Sequence, residues 1–165
     1  MCGIFGIIAL KDDFVSPGRL QEMTNTLFRL SESRGNEAAG ILFLKNATIS
    51  NYKEPVSAST FIHSQIYQQF FSSKSPEPGP LVIIGHTRLA TNGLQTENCN
   101  NQPVVTQNTV GVHNGIVVND ALIWDKIKKK QKYEVDTEAL FELINFHIEG
   151  GYSYKGAIQK AYQDI

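Results

Sequence analysis

The cysteine at position 2 follows the initiator methionine directly and precedes Gly3 and the apolar run IFGIIAL. Once Met1 is removed, this residue carries a thiol and a free α-amine on adjacent carbons. An α-amine has a reference pKa of roughly 7.7 to 8.0 and a cysteine thiol one of roughly 8.5, so near neutral pH the amine can take the thiol proton at small cost. Such a residue is a nucleophile with its own base attached. With Met1 in place, the same cysteine is a small apolar residue opening a strand. Position alone does not separate the two readings.

Attack on an amide carbonyl requires donors for the developing oxyanion, typically a backbone N–H beside an amide side chain. His113-Asn114-Gly115 offers both: the Asn114 carboxamide and the Gly115 N–H, with no Cβ at Gly115 to obstruct an approaching substrate. The same Asn-Gly pair is also a tight-turn signal. HTRLATNG, residues 86–93, is a polar loop behind the apolar LVIIG, a usual location for ligand-binding groups. Its Arg88 can grip a carboxylate through two parallel hydrogen bonds, which lysine cannot reproduce, or can simply lie solvated. Asp136, at the start of DTEAL, suits a helix N-cap and equally a substrate ammonium.

Taken in order, Cys2-Gly3, SRGNEAAG, GHTRLATNG, NNQPV, VHNGIVVN and VDTEAL resemble the glutamine-hydrolysing domain of the class II, N-terminal-nucleophile glutamine amidotransferases. The resemblance runs from residue 2 to about 140, and six ordered blocks are far more specific than any one. VHNGIVVN and GHTR are most like the glutaminase half of glutamine-fructose-6-phosphate aminotransferase, while NQPV is closer to amidophosphoribosyltransferase.

The resemblance implies that Cys2 attacks the side-chain amide of glutamine, that a γ-glutamyl thioester forms as ammonia leaves, and that water then releases glutamate. It implies an oxyanion hole from Asn114 and Gly115, with Arg34 and Gly35 flanking the nucleophile. Arg88 would hold the glutamine α-carboxylate, with Leu89, Thr91 and Asn92 beside it in a mobile loop, and Asp136 would pair with the α-ammonium. Leu89 and Asn92 stand where sugar-aminating members usually carry tryptophan and histidine. Those departures bear on loop closure and on the ammonia acceptor, not on the nucleophile. No metal or organic cofactor is implied; glutamine is the substrate, and a synthase domain or subunit accepts the ammonia.

Elements must bring these residues together. Residues 2–10 read as a strand buried on both faces. Ser16-Pro17 then caps a helix to about residue 31, with Leu20, Met23, Thr24, Leu27 and Leu30 at helical spacing. AAGILFLK and ATISNYK form a hairpin around Asn46, and Ser57 to Phe71 reads as one helix. LVIIGHTR is a further strand, and PVVTQ with TVGVHNG a second hairpin with Asn108 at its tip. Helices follow over about 119–131, 136–148 and from Ser153 onward. Strands flanked by helices, with hairpins, predict an α+β layered sandwich. The family resemblance specifies the Ntn-hydrolase four-layer αββα sandwich and one glutamine amidotransferase type-2 domain over 1–165, truncated at its C-terminal end.

Bulk properties agree with this. The 165 residues, 41% hydrophobic and 19% charged, suit one globular domain, and a net charge of -1 gives no attraction to nucleic acid or an anionic membrane. Two cysteines, no zinc spacing, no long apolar run and no basic leader point to a cytoplasmic protein. KIKKKQK, residues 126–132, reads as a solvated helix face and its last turn, Trp124 as a helix anchor and Cys99 as a loop thiol. His63 and His147 read as structural or exposed, and His86 and His113 as shaping the cleft. The competing functional reading is a catalytically silent Ntn-like binding or regulatory module.

Overall fold

A computed structural model of the chain describes residues 2–10, 15–72, 79–89, 94 and 96–165, with only the backbone at Phe70. The first strand, β1 (Gly3–Ala9), alternates as a pleated strand must: Phe5 and Ala9 are buried, whereas Ile4 and Ile8 are 44% and 72% exposed. The sequence-based expectation of burial on both faces is therefore corrected. The strand lies at a sheet edge, and among the described residues only one of its faces is covered by helices.

That cover starts with helix α1 (Pro17–Glu32), where the Ser16 hydroxyl accepts from the Arg19 amide and proline takes the first turn. Its inward residues are Leu20, Thr24, Phe28 and Ser31; Met23 and Leu30, expected on the core face, are exposed. Strands β2 (Ala38–Lys45) and β3 (Thr48–Glu54) form the expected hairpin. Asn46 and Ala47 both have positive φ, 48° and 61°, so the turn twists with its strands. The helix expected over 57–71 is two pieces, α2 (Ala58–Phe61) and α3 (Gln65–Ser72). The Ser64 hydroxyl accepts from the Tyr67 amide and restarts the chain as a cap.

Strand β4 (Leu81–Arg88) runs antiparallel between β1 and β2, giving the order β1-β4-β2-β3. One face of this sheet packs Phe5, Ile41, Phe43 and Ile83 against Phe28, Phe61 and Tyr67 of the helices. Over the other face, at the β2–β3 side, lies the segment leading into a small second sheet, β5 (Val104–Val105) with β6 (Val110–Gly111). Behind it stand helices α4 (Asp120–Ile127), α5 (Asp136–Glu149) and α6 (Tyr154–Asp164), which with Val104 and Val117 enclose a second core. The layers run helix, sheet, sheet, helix. Helix α4 ends inside the lysine run, after Ile127, because Lys128 adopts a left-handed conformation (φ 54°) and the chain turns there. No helix among the described residues is long and apolar enough to cross a membrane.

Candidate active site

Antiparallel pairing fixes where Cys2 lies. The register Gly3↔Thr87 sets it beside the C-terminal end of β4, where Arg88 and Leu89 emerge. The Cys2 thiol donates to the Leu89 carbonyl at 3.5 Å, and the Arg34 Nε–H donates to the Cys2 carbonyl at 3.1 Å. The Cys2 backbone N–H donates to Asn114 Oδ1 at 3.1 Å, across 112 positions of sequence. With Oδ1 so engaged, the Asn114 NH2 is the group left to face a substrate. The Gly115 N–H makes no hydrogen bond among the described residues. A Cβ at Gly115 would meet the His113 ring, which would have to shift to admit it.

Gly35 is buried against the Arg88–Leu89 peptide, where any side chain would collide. The Glu37 amide donates to the Arg88 carbonyl at 3.1 Å, so the chain after α1 is stapled to the end of β4. Beside this staple a cleft of about 480 Å³ opens, lined by Glu32, Ser33, Arg34, Gly35, Asn36 and Leu89.

Arg88 is 4% exposed, and its Nη1 donates to Asn101 Oδ1 at 2.7 Å. Burial pulls its pKa down, while the Cys2, Glu37 and Asp136 charges act through space in the opposite direction. These acidic groups therefore share one neighbourhood with the guanidinium. Asp136 is buried at the first turn of α5, and its Oδ2 accepts from the Val117 amide at 2.6 Å. The cap position belongs to Val135, which corrects the reading of Asp136 as N-cap: the carboxylate reaches across to the segment after Asn114-Gly115 instead. Thr91 and Asn92 lie outside the described residues.

Two residues without a role in the sequence reading hold the site together. Asn101 anchors Arg88. Gln102 donates from Nε2 to the His113 carbonyl at 3.0 Å and to Thr137 Oγ1 at 3.1 Å, and its Oε1 accepts from the His113 amide at 2.6 Å. It thus ties the segment at His113 to α5. Their signal was the NNQPV block, which carries no recognisable chemistry by itself. His86 is 1% exposed, and burial first, then Arg88, His113 and Lys53, push its pKa down to about 3. Its ring shapes the interior as a neutral group. Among the described residues no group of three His, Cys, Asp or Glu is placed to hold a metal ion.

No family model matches the chain. It is 34% identical over 163 residues to the isomerizing glutamine–fructose-6-phosphate aminotransferase of Brucella abortus, covering 96% of this chain and 24% of that protein. The counterpart from Sulfurisphaera tokodaii is 30% identical over 169 residues, covering 100% and 27%. The chain thus spans about a quarter of the length of the curated relatives it matches. Among solved structures, glutamine phosphoribosylpyrophosphate amidotransferase from B. subtilis superposes with a TM-score of 0.64 at 23% identity, over 97% of this chain and 32% of that one. A second, described as the allosteric regulatory enzyme of purine biosynthesis, gives a TM-score of 0.67 at 23% identity, over 97% and 32%. Over almost its whole length the chain is similar in sequence to about a quarter of each of these glutamine–fructose-6-phosphate aminotransferases, and it shares the fold of glutamine phosphoribosylpyrophosphate amidotransferase.

Proposed function

We propose that this chain is a glutamine amidotransferase type-2 domain that hydrolyses glutamine and delivers the ammonia to a synthase domain or subunit in the cytoplasm. The observation that carries the reading is the meeting of Cys2 and Asn114, 3.1 Å apart through backbone N and Oδ1. This contact brings the Cys2 backbone to an amide side chain 112 positions further along the chain. After loss of Met1, the Cys2 amine takes the thiol proton and Sγ attacks the glutamine δ-carbon. The Asn114 NH2 and Gly115 N–H stabilise the oxyanion. The proton passes to the leaving nitrogen as ammonia, and water cleaves the thioester to give glutamate and the free thiol.

Recognition of the zwitterion falls to Arg88 for the carboxylate and Asp136 for the ammonium, whose Oδ1 makes no hydrogen bond among the described residues. Arg34 steadies the nucleophile through the Cys2 carbonyl, Gly35 admits the close approach of the β4 end, and Leu89 borders the substrate.

The test joins intact-mass determination of the N-terminus with glutamate release from glutamine. Loss of Met1 with turnover that vanishes in Cys2→Ala is the expected result. A processed, folded protein with no turnover, even with its synthase partner, would instead mark a silent binding module.

A further inference from the structure

Three neighbouring strands set His86 of β4, Gly40 of β2 and Lys53 of β3 in one row across the sheet face that carries Arg88. A side chain at Gly40 would collide with the Gln102 carbonyl, so the absence of one lets residues 101–103 lie directly on this row. Lys53 beside it donates from Nζ to the Asn101 carbonyl at 2.6 Å. The same Asn101 accepts Arg88 through its side chain at 2.7 Å. One residue therefore links two cations, by its main chain on one side and its carboxamide on the other.

Half-buried cations are normally paired with carboxylates. Lys53 has no carboxylate in salt-bridge contact among the described residues; the charges acting on it are the Cys99 thiol and Arg88. Burial brings its pKa down to about 8, against an upward pull from Cys99 that exceeds the further downward push from Arg88. It opens instead onto a pocket of about 250 Å³, lined also by Asn51, Asn98, Cys99, Val104 and Tyr133. Two asparagines, a tyrosine and the lysine line that space together with Cys99 and two valines, and among the described residues no Asp or Glu does. Donors around a cation suit an oxyanion, and a volume just below the roughly 300 to 1,000 Å³ of drug-sized sites suits a compact one.

We propose that the Lys53 pocket is a second ligand site, for a small carboxylate or phosphate, and that its occupant and glutamine oppose each other through Asn101. The coupling rests on the proposed role of Arg88 in holding the glutamine carboxylate; the site itself does not. Two effects act with the same sign. An anion at Lys53 lowers the positive potential around Arg88, and it draws the ammonium from the carbonyl of the residue that anchors that arginine. By linkage, bound glutamine weakens the anion equally.

Inorganic phosphate and succinate, titrated separately into 15N-labelled protein, test the site. At least one saturates in the millimolar range, with amide shifts centred on Asn51, Lys53, Asn98, Cys99 and Tyr133; which one saturates tells phosphate from carboxylate. Lys53→Met, which keeps the stem and loses the charge, weakens binding about tenfold or more in a protein that still unfolds cooperatively, as expected for one charged hydrogen bond. Saturation by neither probe, shifts scattered over surface lysines, or undiminished binding in a folded Lys53→Met protein overturns the site. Should that variant fail to fold, the wild-type shift map decides alone. Glutamine affinity measured by calorimetry in Cys2→Ala, where no turnover intervenes, then falls about fivefold with the pocket saturated, within the usual range of coupling between sites. An unchanged affinity overturns the coupling. No glutamine binding at all overturns both the coupling and the role of Arg88, and leaves the pocket's own result standing.

Discussion

The chemistry of the site turns on which atom of Asn114 faces Cys2. Oδ1 accepts the Cys2 N–H, which leaves Nδ2 for the proposed oxyanion contact. Removing that donor in Asn114→Ala is expected to lower turnover about 10²- to 10³-fold with little change in glutamine KM, as measured by initial rates of glutamate release. Arg88→Lys should behave oppositely, raising KM about 10- to 100-fold at nearly constant kcat, because one ammonium cannot reproduce a forked contact already shared with Asn101. Equal losses in kcat for both variants would mean that the two residues do not divide the work in this way. Cys2, Arg88, Asn114 and Asp136 were legible as candidates because their side-chain types limit what they can do. Asn101 and Gln102 were not. Their work is done on backbone groups and on partners 11 to 35 residues away, contacts that amide residue types do not announce.

At the scale of elements, period and cap signals located nearly every strand and helix, and the errors have local causes. Helical spacing marked Leu30 as readily as Leu27, yet a one-position rotation of α1 puts Phe28 at the centre of an aromatic cluster with Phe5, Phe61 and Tyr67. Leu30 is left 70% exposed. Phe28→Ala should therefore cost about 3 to 5 kcal/mol in denaturant unfolding, whereas Leu30→Ala should stay within about 0.5 kcal/mol. Comparable losses would refute the observed rotation of the helix. The 57–71 segment kept its apolar pattern through a break, because Phe61, Ile62, Tyr67 and Phe71 all reach one core from two short helices. Periodicity detects the shared face and is blind to a Ser64 cap within it. The second hairpin was recognised, but its strands are only two residues each, since Thr106 and Thr109 close the turn on each other at 2.9 Å.

In the whole molecule, two cores meet across the sheet face where His86 is buried, and that placement makes acid stability a readout of how they join. Among the described residues the His86 Nε2 atom has no hydrogen-bond partner, and burial together with Arg88, His113 and Lys53 disfavours its proton. In the unfolded chain the ring titrates near the reference value of about 6.5, whereas in the fold it does so near 3. Between these values the unfolded state holds a proton that the folded state refuses, so stability falls as pH drops from about 6.5 towards 3 and is unaffected by this group above that window. Asp164, held below its usual value by Lys126 and His147 against burial, also loses stability on acidification, at its own lower window. The two are separated by comparing proteins. Urea unfolding of wild type and His86→Gln at pH 7.5 and 4.5 should show a smaller acid loss in the variant, whatever its stability at pH 7.5. Lys53 has the opposite reach: its folded pKa near 8 lies below the ordinary 10.5, so wild-type stability should rise between these values as the folded state sheds its proton first. An acid loss identical in wild type and His86→Gln would mean that the imidazole is hydrated rather than sealed between the two cores.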